Sequence, residues 1–332
     1  MSAVLNFLIR RREAGIFVMI VLFCLFVGVQ KPQFLTLDSL RIVLLLTPLI
    51  MIGAMGQMMV IVARHVDLSI GSILGLSAMV SGMMFRYMPD MPWFLCFPLS
   101  IGTGMLLGFV NGLLITTFRL PAIIVTLGTL NLYRGLTFII SNAKQIDRQY
   151  VPSILKSMSQ PSPTLAVPLI IFLSFAIAVA TYWFLMHTRI GRQIFALGSN
   201  PVAAPLRGIN VTQVTLLVFT LSGALSGLAG IMYASRWGFV NPSNTGAGFE
   251  FQVIAAVVIG GVSINGGVGT VLGTVLGVLL LGCVGAALPL LGIPGTTQNA
   301  IYGSVILVAL LIDRLVRAQG NRGVTQRAGA SS

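Results

Sequence analysis

Charge is what this sequence has least of. Only 8% of its 332 residues are Asp, Glu, Lys or Arg, and 7 of them are acidic; soluble domains carry about 25%. That leaves too little polar surface to cover a water-soluble globule, and no segment is long and polar enough to fold as a separate catalytic domain. Cysteine is scarce too. Cys24, Cys96 and Cys283 each sit within an apolar run, which excludes a disulfide-stapled secreted domain. Nucleotide and metal motifs are missing. There is no G-x-x-x-x-G-K-[ST], so the chain carries no P-loop of its own. No H-E-x-x-H and no Cys/His cluster points to a metal, and no bound cofactor is expected. Gly260-Gly261 and Gly266-Gly267 lie in a membrane-like run, which excludes a dinucleotide fold. Ala224 stands where an intramembrane serine protease would need the first Gly before Ser226.

Apolar residues fill the space left. They make up 56% of the chain, against roughly 45–50% in soluble domains, and the mean hydropathy is +0.97. A crossing helix needs about 20 apolar residues. Candidate spans fall at 14–30, 42–62, 67–85, 93–117, 121–141, 164–186, 213–235, 249–262, 268–290 and 297–313, the eighth of them short and glycine-rich. The expected class is an all-α, polytopic integral membrane protein: a single transmembrane domain over 1–316 and a disordered tail over 317–332. The first run leads into Lys31-Pro32 with no small-residue cleavage site, which predicts an uncleaved span.

The net charge is +13. In a soluble protein that balance would imply nucleic acid; here the basic residues stand between the apolar runs and report orientation instead. With ten spans and an inside N-terminus, inside links hold 12 Arg and outside links 7 Arg or Lys. Both termini are therefore expected in the cytoplasm. Two links are long. Residues 142–163 form a polar outside segment, and 187–212 form the long inside loop.

Asp67-Leu-Ser-Ile-Gly71-Ser-Ile-Leu-Gly75 is echoed 198 residues later by Asn265-Gly-Gly-Val-Gly269-Thr-Val-Leu-Gly273. The span count sets the two stretches parallel. Duplicated halves are a mark of transporters. Small residues also recur every fourth position, at Gly104, Gly108 and Gly112 and at Gly223 and Gly227. That spacing serves close helix packing.

Polar residues inside spans are costly and need a reason. The fifth run carries Thr126, Thr129, Asn131, Tyr133, Arg134 and Ser141. Such neutral hydroxyls and amides suit a polyhydroxylated ligand, and equally suit hydrogen bonds between helices. Asp67 reads as a helix cap with ligand contact as the alternative; Glu250 and Asn111 are further candidates, and His65 a proton-relay candidate. The few buried acids argue against a proton-coupled carrier, so energy is expected from a partner chain. On the inside loop, Arg192 to Leu197 reads as a short amphipathic helix with Ile194, Phe195 and Leu197 on one face. Gly198 would end it and Asn200-Pro201 would turn the chain. That face can dock a cytoplasmic partner or lie on lipid headgroups.

The ordered motifs carry a resemblance. Val66–Ser72, Phe109–Gly112, Leu120–Thr129, Tyr133–Gly135, Thr188–Arg192, Ala196–Asn200, Ala203-Ala204, Gly208-Ile209, Gly223–Gly230, Ala255–Gly261 and Gly266–Thr270 follow one another from about residue 40 to 315. Together they resemble the permease subunits of bacterial ATP-binding-cassette importers for ribose, xylose, galactose, rhamnose and autoinducer-2. Arg64-His65-Val66, where that family often has Gly-Gly-Ile, together with Leu132-Tyr-Arg-Gly135, looks most similar to the rhamnose and autoinducer-2 permeases. Pro205 and Arg207 depart from the family pattern. The resemblance implies a multi-pass protein of the bacterial inner membrane. Its implied partners are an ATP-binding subunit inside, a periplasmic substrate-binding protein outside, and a second permease copy or paralogue. The implied translocation path holds Asp67, Ser69, Asn111, Thr126, Thr129, Asn131, Tyr133 and Arg134. The implied coupling loop holds Gly191, Arg192, Phe195, Gly198, Asn200, Ala203, Ala204 and Gly208. A proton-coupled sugar carrier is the competing class.

Overall fold

The computed structural model describes residues 12–161, 167–294, 297, 300–304 and 307. Among them lie eight helices long and apolar enough to cross a membrane. Three of them open on a capping side chain, from Thr36, Asn210 and Thr270. Thr36 accepts from the Ser39 amide and opens α2 (Leu37–Val62) five residues before the expected start. α1 (Arg12–Gln30) precedes it. α3 (Ile70–Tyr87), α4 (Cys96–Phe118) and α5 (Ala122–Ser141) follow. The link after α5 folds a five-residue helix, α6 (Ser153–Ser157), before α7 (Leu169–His187). The loop after α7 folds α8 (Arg189–Ser199) and α9 (Ala203–Leu206). Asn210 caps α10 (Val211–Trp237), which Gly238 ends in a left-handed conformation. α11 (Phe249–Ile259) and α12 (Val271–Leu290) complete the described core. The proposed tenth span, 297–313, lies largely outside the described residues, and the tail 317–332 wholly outside them.

α2 is the central helix. From Ile50 to Val62 every residue is buried. α10 packs antiparallel to both α2 and α4. A Cβ on Gly104 would strike the Gly223 carbonyl, and one on Gly108 the Phe219 carbonyl. Ser100 Oγ donates to the Gly227 carbonyl at 2.7 Å along the same seam. The four-residue glycine spacing is therefore the contact line of α4 and α10, where bare backbones meet because lipid gives no hydrophobic drive between helices. α12 runs antiparallel to α2, with Gly282 on Thr47 and the Gly267 amide donating to the Val62 carbonyl at 2.9 Å. α3 and α12 thus run the same way, as the span count set their echoed sequences. The outer surface bears Phe17, Leu22, Phe26, Ile124, Leu132 and Val179, an apolar belt suited to lipid.

The eighth expected span is no full crossing. α11 has 11 residues and begins only where Gly53, well along α2, meets the Phe249 ring. The chain reaches that point by the link 238–248, which runs down the side of α3. Val240 bridges Ile146, which rests on Gly82; Thr245 lies against Gly75, and Gly246 against Gly71. Gly246 and Gly248 take φ of 76° and 74°, a region open to glycine at little cost. The link between α5 and α7 is also more than a tether. Ile146, Val151 and Leu155 are buried, and Ser235 Oγ donates to the Leu155 carbonyl at 2.6 Å, so the link caps the end of α10.

Candidate translocation site and coupling surface

The start of α3 gathers most of the polar residues singled out in the sequence. Asp67 is fully buried, and its Oδ1 accepts from the Ser69 amide at 2.9 Å and from Ser69 Oγ at 2.7 Å. Asn111 Nδ2, from α4, donates to Ser69 Oγ at 2.7 Å. Tyr133 Oη, from α5, lies 3.0 Å from both Asn111 Oδ1 and the Leu107 carbonyl, so its one proton serves one of them at a time. Thr126 Oγ1 donates to the Ala122 carbonyl at 2.8 Å, and Thr129 Oγ1 lies 3.4 Å from the Thr126 carbonyl. This is a chain of hydrogen bonds across three helices. Asp67 Oδ2 has no hydrogen-bond partner among the described residues, and burial pushes the carboxyl up from 3.8 to about 6 against the pull of the two Ser69 bonds. In the same link burial holds the His65 imidazole down at about 4. Its Nε2 lies 3.4 Å from Thr215 Oγ1.

Two residues of the set point elsewhere. Asn131 is on the outer face of α5 and turns its amide back to the Leu127 carbonyl at 3.1 Å. Arg134 crosses to the link 238–248, where Nη1 donates to the Thr245 carbonyl at 2.6 Å. Beside it, Gly71 leaves room for Glu250, in the first turn of α11; a Cβ there would strike the Glu250 carboxylate and the Gly246 carbonyl. The N-termini of α3 and α11, two helices running in opposite senses, therefore meet at one point.

A cavity of about 510 Å³ opens between α2, the last turn of α10, the link 238–248, α11 and α12. Its floor is Ile50, Leu74 and Phe249. Its polar wall is Ser39, Tyr233, Arg236, Asn244, Gln252 and Tyr302, with Trp237 beside Arg236. None of the eight path residues expected from sequence lines it. Nothing in the sequence marks this wall beyond the Gly, Pro and Asn residues of 238–248, which signal an irregular link.

At the opposite end of the bundle the loop 187–212 is built as a rigid unit. Thr188 accepts from the Gly191 amide at 3.0 Å and caps α8. Gly191 lies on the Phe184 and Leu185 carbonyls. Ile194 and Leu197 are buried and Phe195 is half-buried, so the apolar face expected to be free packs on the chain's own helices. Gly198 does not end the helix. It lies inside α8 against the Val62 carbonyl and the Gly267 amide, where a Cβ has no room; the helix runs on to Ser199. Asn200 then turns the chain, its Oδ1 accepting from the amides of Val202 and Ala203 at 3.1 and 3.0 Å. Ala204, within α9, is buried, and Gly208 takes φ 75° in open space. The most exposed apolar side chains of the loop are Val202, 82% exposed, and Leu206, 86% exposed; Ile190 and Arg192 are exposed as well.

Residues 39–310 match the family described as branched-chain amino acid transport system, permease component. The chain belongs to this permease family. It is 35% identical over 323 residues to the autoinducer 2 import system permease protein LsrC of Salmonella typhi, covering 97% of this chain and 91% of that one. The corresponding protein of Yersinia pseudotuberculosis is 34% identical over 97% of this chain and 90% of its own. That of Photorhabdus luminescens is 36% identical over 90% and 89%. No solved structure matches. The permease class, expected from the ordered motifs, is thereby borne out, as is the all-α, multi-pass class.

Proposed function

We propose that this permease forms the inner-membrane pathway of an ATP-driven importer for a small sugar-like ligand of the autoinducer-2 kind, with both termini in the cytoplasm. The observation that carries the ligand class is the cavity wall. An α-amino acid, the ligand in the broad family description, brings an ammonium group that needs an acceptor of opposite charge when desolvated. The described wall offers Arg236, amides and hydroxyls, and no carboxylate. Hydroxyl groups bring no second cation to such a wall, and their oxygens can accept from Arg236. Relatives that import autoinducer 2 match along nearly the whole chain, which supports the same choice.

The path continues from the cavity floor past the start of α3. There Asp67, Ser69, Asn111, Thr126, Thr129 and Tyr133 hold the helix start, and Arg134 holds the link 238–248. Asn131, on the outer face, serves contact with a second permease copy. A periplasmic binding protein delivers ligand to the cavity mouth. An ATP-binding subunit docks on α8 and α9, inserting between Val202 and Leu206, because an exposed apolar pair on a rigid base is a usual mark of a partner site. ATP hydrolysis belongs to that subunit.

The test is uptake of labelled autoinducer-2 into proteoliposomes holding the permease with its ATP-binding and binding-protein partners. Uptake should need ATP and survive a protonophore. Uptake without ATP that a protonophore abolishes would make the chain a proton-coupled carrier and refute the proposal.

A further inference from the structure

Resting on the import reading, the geometry of the cavity assigns a ligand-reading role to a residue outside the polar cluster at α3. We propose that the cavity is a built binding site for a hydroxylated small molecule bearing no cationic group, and that Arg236 donates to its oxygens. Arg236 Nη1 is buried and has no hydrogen-bond partner among the described residues. A buried donor without an acceptor is costly and is kept where something else supplies the acceptor. The guanidinium is already placed: it lies 5.2 Å from the centroid of the Trp237 ring, which limits its freedom before any ligand arrives. Asn244 and Gln252 add amide groups on the link and on α11, and Tyr233 adds an aromatic face. A guanidinium fork can bind two neighbouring oxygens at once, which lysine cannot do.

The site is closed below. Phe249 and Leu74 form its floor, and a Cβ on Gly53 would stand 2.8 Å from the Phe249 ring, so that ring is seated on α2. A volume of about 510 Å³ falls within the roughly 300–1,000 Å³ of small-molecule pockets. A phospholipid is the competing occupant, since apolar side chains from α2 and α12 share the wall. The buried guanidinium argues against it, because an acyl chain would leave Nη1 without an acceptor.

The experiment uses the complete transporter in proteoliposomes, with Cys24, Cys96 and Cys283 replaced by Ser and with Ala247→Cys on the cavity wall. An impermeant thiol reagent labels position 247 from outside, and labelling is timed with autoinducer-2, D-ribose or leucine as probe. Autoinducer-2 should slow labelling and leucine should not. Arg236→Gln should weaken that protection about tenfold in probe concentration, the effect of losing one charge-assisted bond, with Arg236→Lys between. Copurification of the ATP-binding subunit confirms that the variants fold, and Gln252→Leu offers a second wall variant should Arg236→Gln not assemble. Labelling that no sugar slows overturns the site, whether or not uptake occurs. Protection that persists unchanged in Arg236→Gln overturns the role of the arginine. Labelling blocked throughout and freed only by stripping phospholipid makes the occupant lipid, which also overturns the proposal. Protection without ATP-driven uptake would refute the import reading and leave the site standing.

Discussion

Asp67 gives the most direct test of the buried network. Its carboxyl moves from 3.8 to about 6 on folding. At about 1.4 kcal/mol per pH unit, the folded state disfavours the charged form by roughly 3 kcal/mol. The folded value is raised, so between about pH 4 and 6 the folded chain binds more protons than the unfolded one, and stability falls as pH rises through that window. Above it the loss is complete. Asp67→Asn is neutral at every pH and keeps an Oδ1 that can accept from the Ser69 amide and hydroxyl. It exchanges an unpaired carboxylate oxygen for an unpaired NH₂, at a cost of about 1–3 kcal/mol. Its stability at pH 8 should therefore equal or exceed that of the native chain by up to about 2 kcal/mol. Asp67→Ala loses both bonds and strands the Ser69 amide, which places it about 2 kcal/mol or more below Asp67→Asn. The assay is thermal unfolding of the detergent-solubilised permease at pH 4.5 and pH 8, alongside uptake. The native midpoint should drop between the two pH values relative to Asp67→Asn. Equal midpoints for Asn and Ala would refute the capping role of Oδ1. Normal folding of Asp67→Asn with uptake as low as in Asp67→Ala would show that the charge itself serves transport.

Leu206→Asp, alone or with Val202→Asp, should release the ATP-binding subunit on copurification and leave the permease folded, because both side chains are free of the core; full retention of the subunit would remove α9 from the docking surface. Phe195→Asp should instead lower thermal stability, since Phe195 packs on the core. Gly104→Val should abolish folded expression, because its side chain would enter the α10 backbone at Gly223 and Gly227; Gly102→Val, with open space around it, should be tolerated, and equal expression of the two would contradict the glycine seam. Cys24 Sγ and Cys283 Sγ lie 4.0 Å apart, so mild oxidation should link α1 to α12, read as loss of free thiol. Cys96, buried on α4 and away from that pair, should stay free.

The sequence by itself determined the class of this protein and most of its helices. Its shortage of charge leaves only a lipid-facing solution, and long apolar runs between basic links set where the helices begin and end to within a few residues. The four-residue glycine spacing was legible too, because close backbone contact admits hardly any other residue. The cap at Thr36 moved the start of α2, since capping acts through one side chain that hydropathy does not weigh. Tertiary structure decided what periodicity cannot express. Which apolar face of α8 is free depends on α2 and α7 covering Ile194 and Leu197, so exposure passed to Val202 and Leu206. Gly198 resembled a helix stop and proved a contact with Val62 and Gly267, because close approach and chain reversal both select glycine. The fifth run's polar residues parted company: Thr126, Thr129 and Tyr133 face the start of α3, Arg134 reaches the link 238–248, and Asn131 faces outward. The cavity is the clearest case. Ser39, Arg236, Asn244 and Gln252 lie up to 213 positions apart in the chain, and only the packing of α2, α10, α11 and α12 brings them to one wall.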